Sequence, residues 1–270
     1  MANIKNPQEI KQILAACKLT GEVLEKLQTL TKPGMSTLEV DVLAEKMIRD
    51  AGGRPAFKGY TTGPGDTPFP NTICASVNEE LVHAIATKEK ILKDGDIFTI
   101  DIGMQWPFKK GEPGYFTDTA ITFVVGKSKP TAEIQKLLDV TRDSMYAGIA
   151  AAVPGNSVAD IGKAVENYVK SQGKYGIVRD LVGHGVGHAV HEDPKIPNYY
   201  DPKLEKIKLK PGMVIAIEPM IALGTWKVKM ADDGWTILMA DDSMCAHFEH
   251  TIVITETGNI VATQRPSEKI

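Results

Sequence analysis

Three histidines, His184, His188 and His191, stand within the stretch "LVGHGVGHAVHEDP" at 181–194. His184 and His188 have the i, i+4 spacing that puts two imidazoles on one side of a helix, as in helical zinc sites. Gly183, Gly185 and Gly187 argue against a helix here, since glycine in a helix interior is destabilising by about 1 kcal/mol relative to alanine. In an extended segment alternate residues share a face. His184 and His188 then point one way and His191 the other, unless a glycine bends the chain. Three histidines converging on one ion is therefore not the preferred reading.

Carboxylates carry a stronger signal. Asp101 ends the run "IFTI" (97–100), and Glu218 ends "VIAI" (214–217). Near-continuous apolar runs of this length suggest strands buried on both faces. A bare carboxylate there is strongly unfavourable unless it is paired or bound to metal. A single such acid is most simply a buried ion pair or a hydrogen-bonded strand end. Here there are four, because Asp118 and Glu249 stand near the start of two further β runs, "YFTDTAITF" (115–123) and "HFEHTIVIT" (247–255). No Lys or Arg occurs in 95–104, 181–192 or 212–223 to neutralise them. Four like charges near one axis repel one another. One divalent ion leaves such a cluster net negative, so two ions bridged by shared carboxylates fit the charge better, with an imidazole as the natural fifth donor.

The elements that must position these groups are legible from caps and periodicity. Asn6 and Pro7 start a helix in which Ile10, Ile13, Leu14, Cys17, Leu24 and Leu27 recur at helical spacing, and "KPG" (32–34) stops it. Ser36 and Glu39 make a capping box for a second helix that "GG" (52–53) ends. The same order returns later: an amphipathic helix over about 131–150, a turn "VPGNS", and a helix capped by Ser157 with Asp160 three residues on. "PGMSTLEV" (33–40) resembles "PGNSVADI" (154–161), and "LKDGDIFTID" (92–101) resembles "LKPGMVIAIE" (209–218). The two β runs that carry Asp118 and Glu249 form a third pair. The separations are 121, 117 and 131 residues, in the same order along the chain. This predicts a single domain over 1–270 built of duplicated halves, about 5–126 and 127–265. Strands arriving as pairs joined by hairpin-length loops favour an antiparallel sheet with helices packed on one face, an α+β arrangement.

Composition narrows the class. A net charge of −3 gives no electrostatic case for nucleic acid or an anionic membrane. No run approaches the length of a transmembrane helix, and "MANIKNPQEIKQ" has no apolar core of a signal peptide. Cys17, Cys74 and Cys245 are an odd number without paired spacing, as expected for free thiols in a reducing cytoplasm.

The ordered set Asp101, Asp118, His184, Glu218 and Glu249 resembles the ligands of the dinuclear metallopeptidases of the pita-bread fold. "ICASVNEELVHAIA" (73–86), "GHGVGHAVHEDP" (183–194), "GMVIAIEPMI" (212–221) and "FEHTIVIT" (248–255) further resemble the type I methionine aminopeptidases. The resemblance runs over about 5–265, and "NEELVH" is the segment that separates these enzymes from their relatives. It implies a hydrolase that removes the initiator methionine from newly made polypeptides. Asp101 would chelate one metal, Asp118 and Glu249 would bridge two, and His184 and Glu218 would hold the other. A water or hydroxide between the metals would attack the first peptide bond. Glu218 would shuttle a proton, His83 would contact the scissile amide, and His191 would stabilise the carbonyl oxygen. The free α-amine would bind a metal, which limits cleavage to the first residue. Tyr60, Phe69, Cys74 and Trp235 match positions that line the methionine pocket, where a thiol and aromatic rings suit a thioether.

A carboxylate-rich site with one imidazole suits two ions of Mn, Fe, Co or Zn. The implied partners are nascent N-termini with methionine before a small residue, met in the cytoplasm by a monomer in transient contact with the ribosome. Several positions depart from the family pattern. Ala84-Ile85-Ala86 replaces Gly-Ile-Pro after the first histidine, Val190 replaces an aromatic, and His188 stands where arginine is usual. The loops at 61–68 and 105–114 are longer than usual, and His247 and His250, beside Glu249, are expected behind the ligands or in the core. Prolidases and Xaa-Pro aminopeptidases share the ligand set but carry an extra N-terminal domain. Type II methionine aminopeptidases need a long insertion that the spacing of His191 and Glu218 cannot hold. Non-catalytic relatives of the fold lose ligands, and all five are present here.

Overall fold

The computed structural model describes residues 3–63, 65–109, 111 and 114–269. Pro64, Lys110, Glu112 and Pro113, in the two long loops noted above, lie outside the described residues. Four helices form where the caps and the amphipathic periodicity predict them. They are α1 (Pro7–Leu30), α2 (Thr37–Asp50), α3 (Ala132–Ala151) and α4 (Val158–Gln172). Asn6 Oδ1 accepts from the N–H groups of Gln8 and Glu9 at 2.9 and 3.0 Å, and the Glu9 carboxylate accepts from Asn6 N at 2.7 Å. This reciprocal box satisfies N–H groups that a helix start leaves open. Ser36 with Glu39 and Ser157 with Asp160 repeat it on α2 and α4.

The strands are β1 (Arg54–Pro55), β2 (Ile73–Val77), β3 (Glu80–Val82), β4 (Ile97–Trp106), β5 (Tyr115–Val124), β6 (Gly176–Ile177), β7 (Gly183–Gly185) and β8 (Glu192–Ile196). They continue with β9 (Val214–Ile217), β10 (Met220–Ala222), β11 (Val228–Met230), β12 (Ile237–Met239), β13 (Cys245–His247), β14 (Glu249–Ile254) and β15 (Asn259–Val261). The main sheet runs β1-β4-β5-β14-β9-β7-β8, with β2 added to β4 and β15 to β14. Every pair is antiparallel. Alternation gives the sheet two faces. On β4, Phe98, Ile100, Ile102 and Met104 are fully buried with Leu24 and Leu27 of α1 and Val40, Ala44 and Ile48 of α2. Leu137, Met145, Ile149 and Ile161 of α3 and α4 extend the same core. The helices thus cover one face and leave the other for the site.

The two helix pairs enter the sheet in matching ways. Gly34 N donates to Leu92 O at 2.8 Å and Leu92 N to Met35 O at 2.9 Å. In the second half Gly155 N donates to Leu209 O at 3.1 Å and Leu209 N to Asn156 O at 2.8 Å. Gly34 and Gly155 sit at φ +90° and +91°, a left-handed conformation that glycine adopts without a Cβ penalty. Among the described residues no helix is long and apolar enough to cross a membrane.

Candidate metal centre

Register alone brings three carboxylates together. Asp101 of β4 lies opposite Ala120 of β5, and Glu249 of β14 lies opposite the same Ala120 from the other side. Asp118 is two residues from Ala120, so it shares that face. Glu218 follows Ile217, which pairs with His250, and so emerges beside Glu249. His184 sits between Gly183 and Gly185 on β7, and Gly185 pairs with Ile215 of β9. The five residues expected as ligands therefore come from five neighbouring segments of one sheet face, the face without helices.

Their donor atoms converge. Asp101, Asp118 and Glu249 form one group with all donor atoms within 4.8 Å, and His184, Glu218 and Glu249 form a second. Glu249 belongs to both, which is the pattern two ions sharing a carboxylate require. The residues fit such ions on a further ground. Asp101 Oδ1, Asp118 Oδ1 and Glu249 Oε1 are buried without a hydrogen-bond partner. Orphaned buried carboxylate oxygens are strongly unfavourable unless a cation takes them up. His184 Nδ1 lies 2.9 Å from Gly185 O, so it donates there and leaves Nε2 as a lone pair. That Nε2 points at Glu218 Oε1 at 3.4 Å and Asp118 Oδ2 at 3.8 Å.

Without a bound ion, the cluster would hold protons that its carboxyls lack in water. Burial raises Asp101 to about 6 and Glu218 to about 8. Burial, then the charges of Asp101 and Glu218, push Asp118 well above the usual carboxylate range. Burial, then the charges of Asp118, Glu218 and Asp101, do so for Glu249. Unfolded, Asp101 and Glu218 would have let go of their protons near 3.8 and 4.5. Between those values and the folded ones the native chain binds more protons, so metal-free stability falls as pH rises from about 4 to about 8. Thermal melts of the metal-free protein at pH 5.5 and pH 8 should show the lower transition at pH 8. Saturating Mn should remove the slope, because the ion takes the deprotonated carboxylates. A metal-free transition that climbs with pH contradicts this protonation pattern.

The histidine stretch departs from the extended segment expected of it. After β7 the chain bends at Gly187, whose φ is +132°. The bend sends His188 outward, where its Nε2 meets Glu9 at 2.8 Å, and returns His191 to within 4.4 Å of the His184 ring, centroid to centroid. His184 and His191 therefore face one cavity and His188 does not, the reverse of simple alternation. His191 Nδ1 lies 2.9 Å from the Tyr60 hydroxyl. With that hydroxyl donating a hydrogen bond to Nδ1, the imidazole proton stands on Nε2. His83 follows β3 at φ +56°, a strained value for a non-glycine residue, and burial lowers its pKa to about 4, so its ring is neutral.

These groups line a cavity of about 580 Å³. Tyr60, Phe69, Cys74 and Trp235 form part of its wall, together with Phe57 and Met220. Phe69 and Trp235 meet edge to face at 5.3 Å, and Trp235 Nε1 donates to Thr67 O at 3.1 Å. Cys74 pairs with Asp101 across β2 and β4, so the thiol stands beside the carboxylates. Every residue expected to act as a metal ligand, in catalysis or in the methionine pocket thus reaches one cavity. His247 is the addition. It is 1% exposed, lines the cavity, and has no hydrogen-bond partner on either ring nitrogen. Its Nε2 is 3.6 Å from Glu218 Oε2. The signal was present in the sequence, since it stands two residues before Glu249 in a β run.

The family model for metallopeptidase family M24 matches residues 11–256. The chain is 44% identical to methionine aminopeptidase 1 of Bacillus subtilis (strain 168) over 96% of its own length and 98% of that protein's. It superposes on the crystal structure of methionine aminopeptidase from Thermotoga maritima with a TM-score of 0.88 at 38% identity, covering 98% of this chain and 100% of that one. The prolidase from Pyrococcus horikoshii OT3 shares the fold, with a TM-score of 0.74 at 23% identity. This chain covers 65% of that longer protein and is itself covered over 99%.

Proposed function

The chain belongs to metallopeptidase family M24 and, within it, to the type I methionine aminopeptidases, and from that premise we propose how its residues divide the work. Asp101, Asp118, His184, Glu218 and Glu249 would hold two divalent ions, with Asp118 and Glu249 contributing to both. The observation that carries this is the pair of donor groups overlapping at Glu249, with three orphaned buried oxygens. Bound there, such ions act as Lewis acids and lower the pKa of water toward neutrality. Mn, Fe, Co and Zn all suit this donor set.

The remaining steps fall to side chains of the chain. Glu218 has one oxygen toward His184 and the other toward His247, and it accepts and returns a proton during cleavage. His191 donates from Nε2 to the carbonyl oxygen of the first peptide bond as charge builds on it. His83, neutral and held in a strained backbone, hydrogen-bonds the scissile amide. The substrate's free α-amine would be held at the metal centre, which restricts cleavage to the first residue. Tyr60, Phe69, Cys74 and Trp235 receive the methionine side chain, whose thioether packs well against aromatic rings and a neutral thiol. Burial and the Asp101 and Asp118 charges push the Cys74 thiol up, so it packs as an apolar group.

The substrate is then a new polypeptide with methionine ahead of a small residue, trimmed in the cytoplasm by a monomer that meets chains at the ribosome. The matched helix entries at Gly34 and Gly155 support one domain of duplicated halves, about 5–126 and 127–265. The competing reading is an Xaa-Pro peptidase on the same fold. Met-Ala-Ser and Ala-Pro-Ala peptides, each offered with Mn, Co, Fe or Zn, separate the two. Free methionine from the first peptide is expected; alanine from the second with no methionine from the first reverses the assignment.

A further inference from the structure

We propose that Lys5 is a positioning residue for His191, acting through Glu192. The inference rests on the role given to His191 above. Lys5 is 3% exposed, which is rare for lysine, and its Nζ meets Glu192 Oε2 at 2.6 Å. Asn3 Nδ2 reaches the same oxygen at 2.8 Å. The other oxygen, Glu192 Oε1, accepts from the backbone N–H groups of His188 and Ala189 at 2.5 and 3.1 Å. One carboxylate therefore closes the turn 188–192 and ties it to the chain's first residues. Glu192 is the covalent neighbour of His191, so its position fixes where that imidazole stands.

The anchor is itself fixed. Lys5 N donates to Gly212 O at 2.8 Å, in the turn that leads into β9 and on to Glu218. Asn6, the next residue, caps α1. The Lys5 stem runs under Gly187, where an added Cβ would stand 2.8 Å from Lys5 Cε. That close approach and the φ of +132° both keep the bend at Gly187 that returns His191 to the cavity. At its far side His191 is held only by the Tyr60 hydroxyl among its described hydrogen bonds. Lys5 thus joins the turn carrying His191 to the turn feeding Glu218. Neither Lys5 nor Glu192 contributes to the two donor groups that share Glu249. The ion pair should set geometry for the reaction without changing metal binding.

A double-mutant cycle tests this on the full-length, metal-loaded enzyme. Lys5→Met is made in the wild-type and His191→Ala backgrounds, and kcat, KM and metal affinity by calorimetry are measured for all four proteins. Misplacing a reacting group by a fraction of an ångström is worth about 10-fold in rate, so Lys5→Met should lower kcat by that amount with KM and metal affinity unchanged. In the His191→Ala background it should lower kcat no further. Equal losses in both backgrounds, or no loss in the wild type, overturn the inference while leaving the His191 role intact. A His191→Ala enzyme with normal kcat overturns both. Glu192→Gln, which keeps the acceptor for the turn but removes the charge, goes through the same cycle if Lys5→Met fails to fold.

Discussion

Asp118→Asn should lower kcat/KM on Met-Ala-Ser by roughly 10³-fold, the rate equivalent of losing several kcal/mol of metal-supplied stabilisation. The substitution keeps size and shape, and it removes one of two carboxylates proposed to be shared between ions. Calorimetric titration with Mn or Co should then report one bound ion rather than two. The metal-free variant should behave in the opposite sense to most core substitutions. Asp118 is buried against Asp101 and Glu218, and their charges oppose its ionisation. The metal-free fold therefore keeps Asp118 protonated where the unfolded chain would release the proton, a penalty that asparagine does not carry, so the metal-free melting transition should rise while the metal-loaded one falls. Unchanged turnover would sink the two-metal reading, and a lower metal-free transition would show that Asp118 is held by something other than an absent cation.

Alanine at each histidine of "GHGVGHAVH" should give three different proteins. His191→Ala should retain both ions and lose about 10²- to 10³-fold in kcat, the usual loss when a donor to a developing oxyanion is removed. His184→Ala should lose affinity for one ion, because its Nε2 is the only imidazole lone pair in the two donor groups that share Glu249. His188→Ala should keep activity and change stability by no more than about 0.5 kcal/mol, since its contact with Glu9 lies near the surface. Calorimetry and steady-state kinetics on the three variants make this comparison. Metal loss in His191→Ala would place that residue among the ligands. The geometry makes that a fair challenge, as Asp118, His184 and His191 also fall within 4.8 Å of one another.

Local features of the chain were readable because they depend on near neighbours. Asn6 with Glu9 and Ser36 with Glu39 are capping boxes in sequence and in structure. The runs ending in Asp101 and Glu218 are buried strands because alternation and apolar content are properties of a few adjacent residues. Two features were not readable for the same reason. The bend at Gly187 depends on Lys5 lying beneath it, a contact across more than 180 residues of chain. The direction of His191 follows from that bend, so alternation misplaced it relative to His184. The pairing of Lys5 with Glu192 was equally hidden, because both residues look like ordinary surface charges until the fold buries them. His247 is the intermediate case. Alternation with Glu249 points it toward the ligands, but its lack of a hydrogen-bond partner is visible only once its surroundings are assembled.

Ala120 faces Asp101 from one side and Glu249 from the other, and this has a consequence for the order in which a newly synthesised molecule can mature. β4 and β5 form a local hairpin that can close as soon as it is made. β14 must then dock against β5, Glu249 lying 129 positions beyond its partner Ala120, the slow and entropically expensive kind of pairing. Until that docking, Asp101 and Asp118 stand as a half-site with no partner for a second ion. On the two-ion reading proposed above, metal loading would be a checkpoint on completed topology: a molecule that has captured both ions has already docked β14, and a truncated or misregistered copy keeps only the half-site.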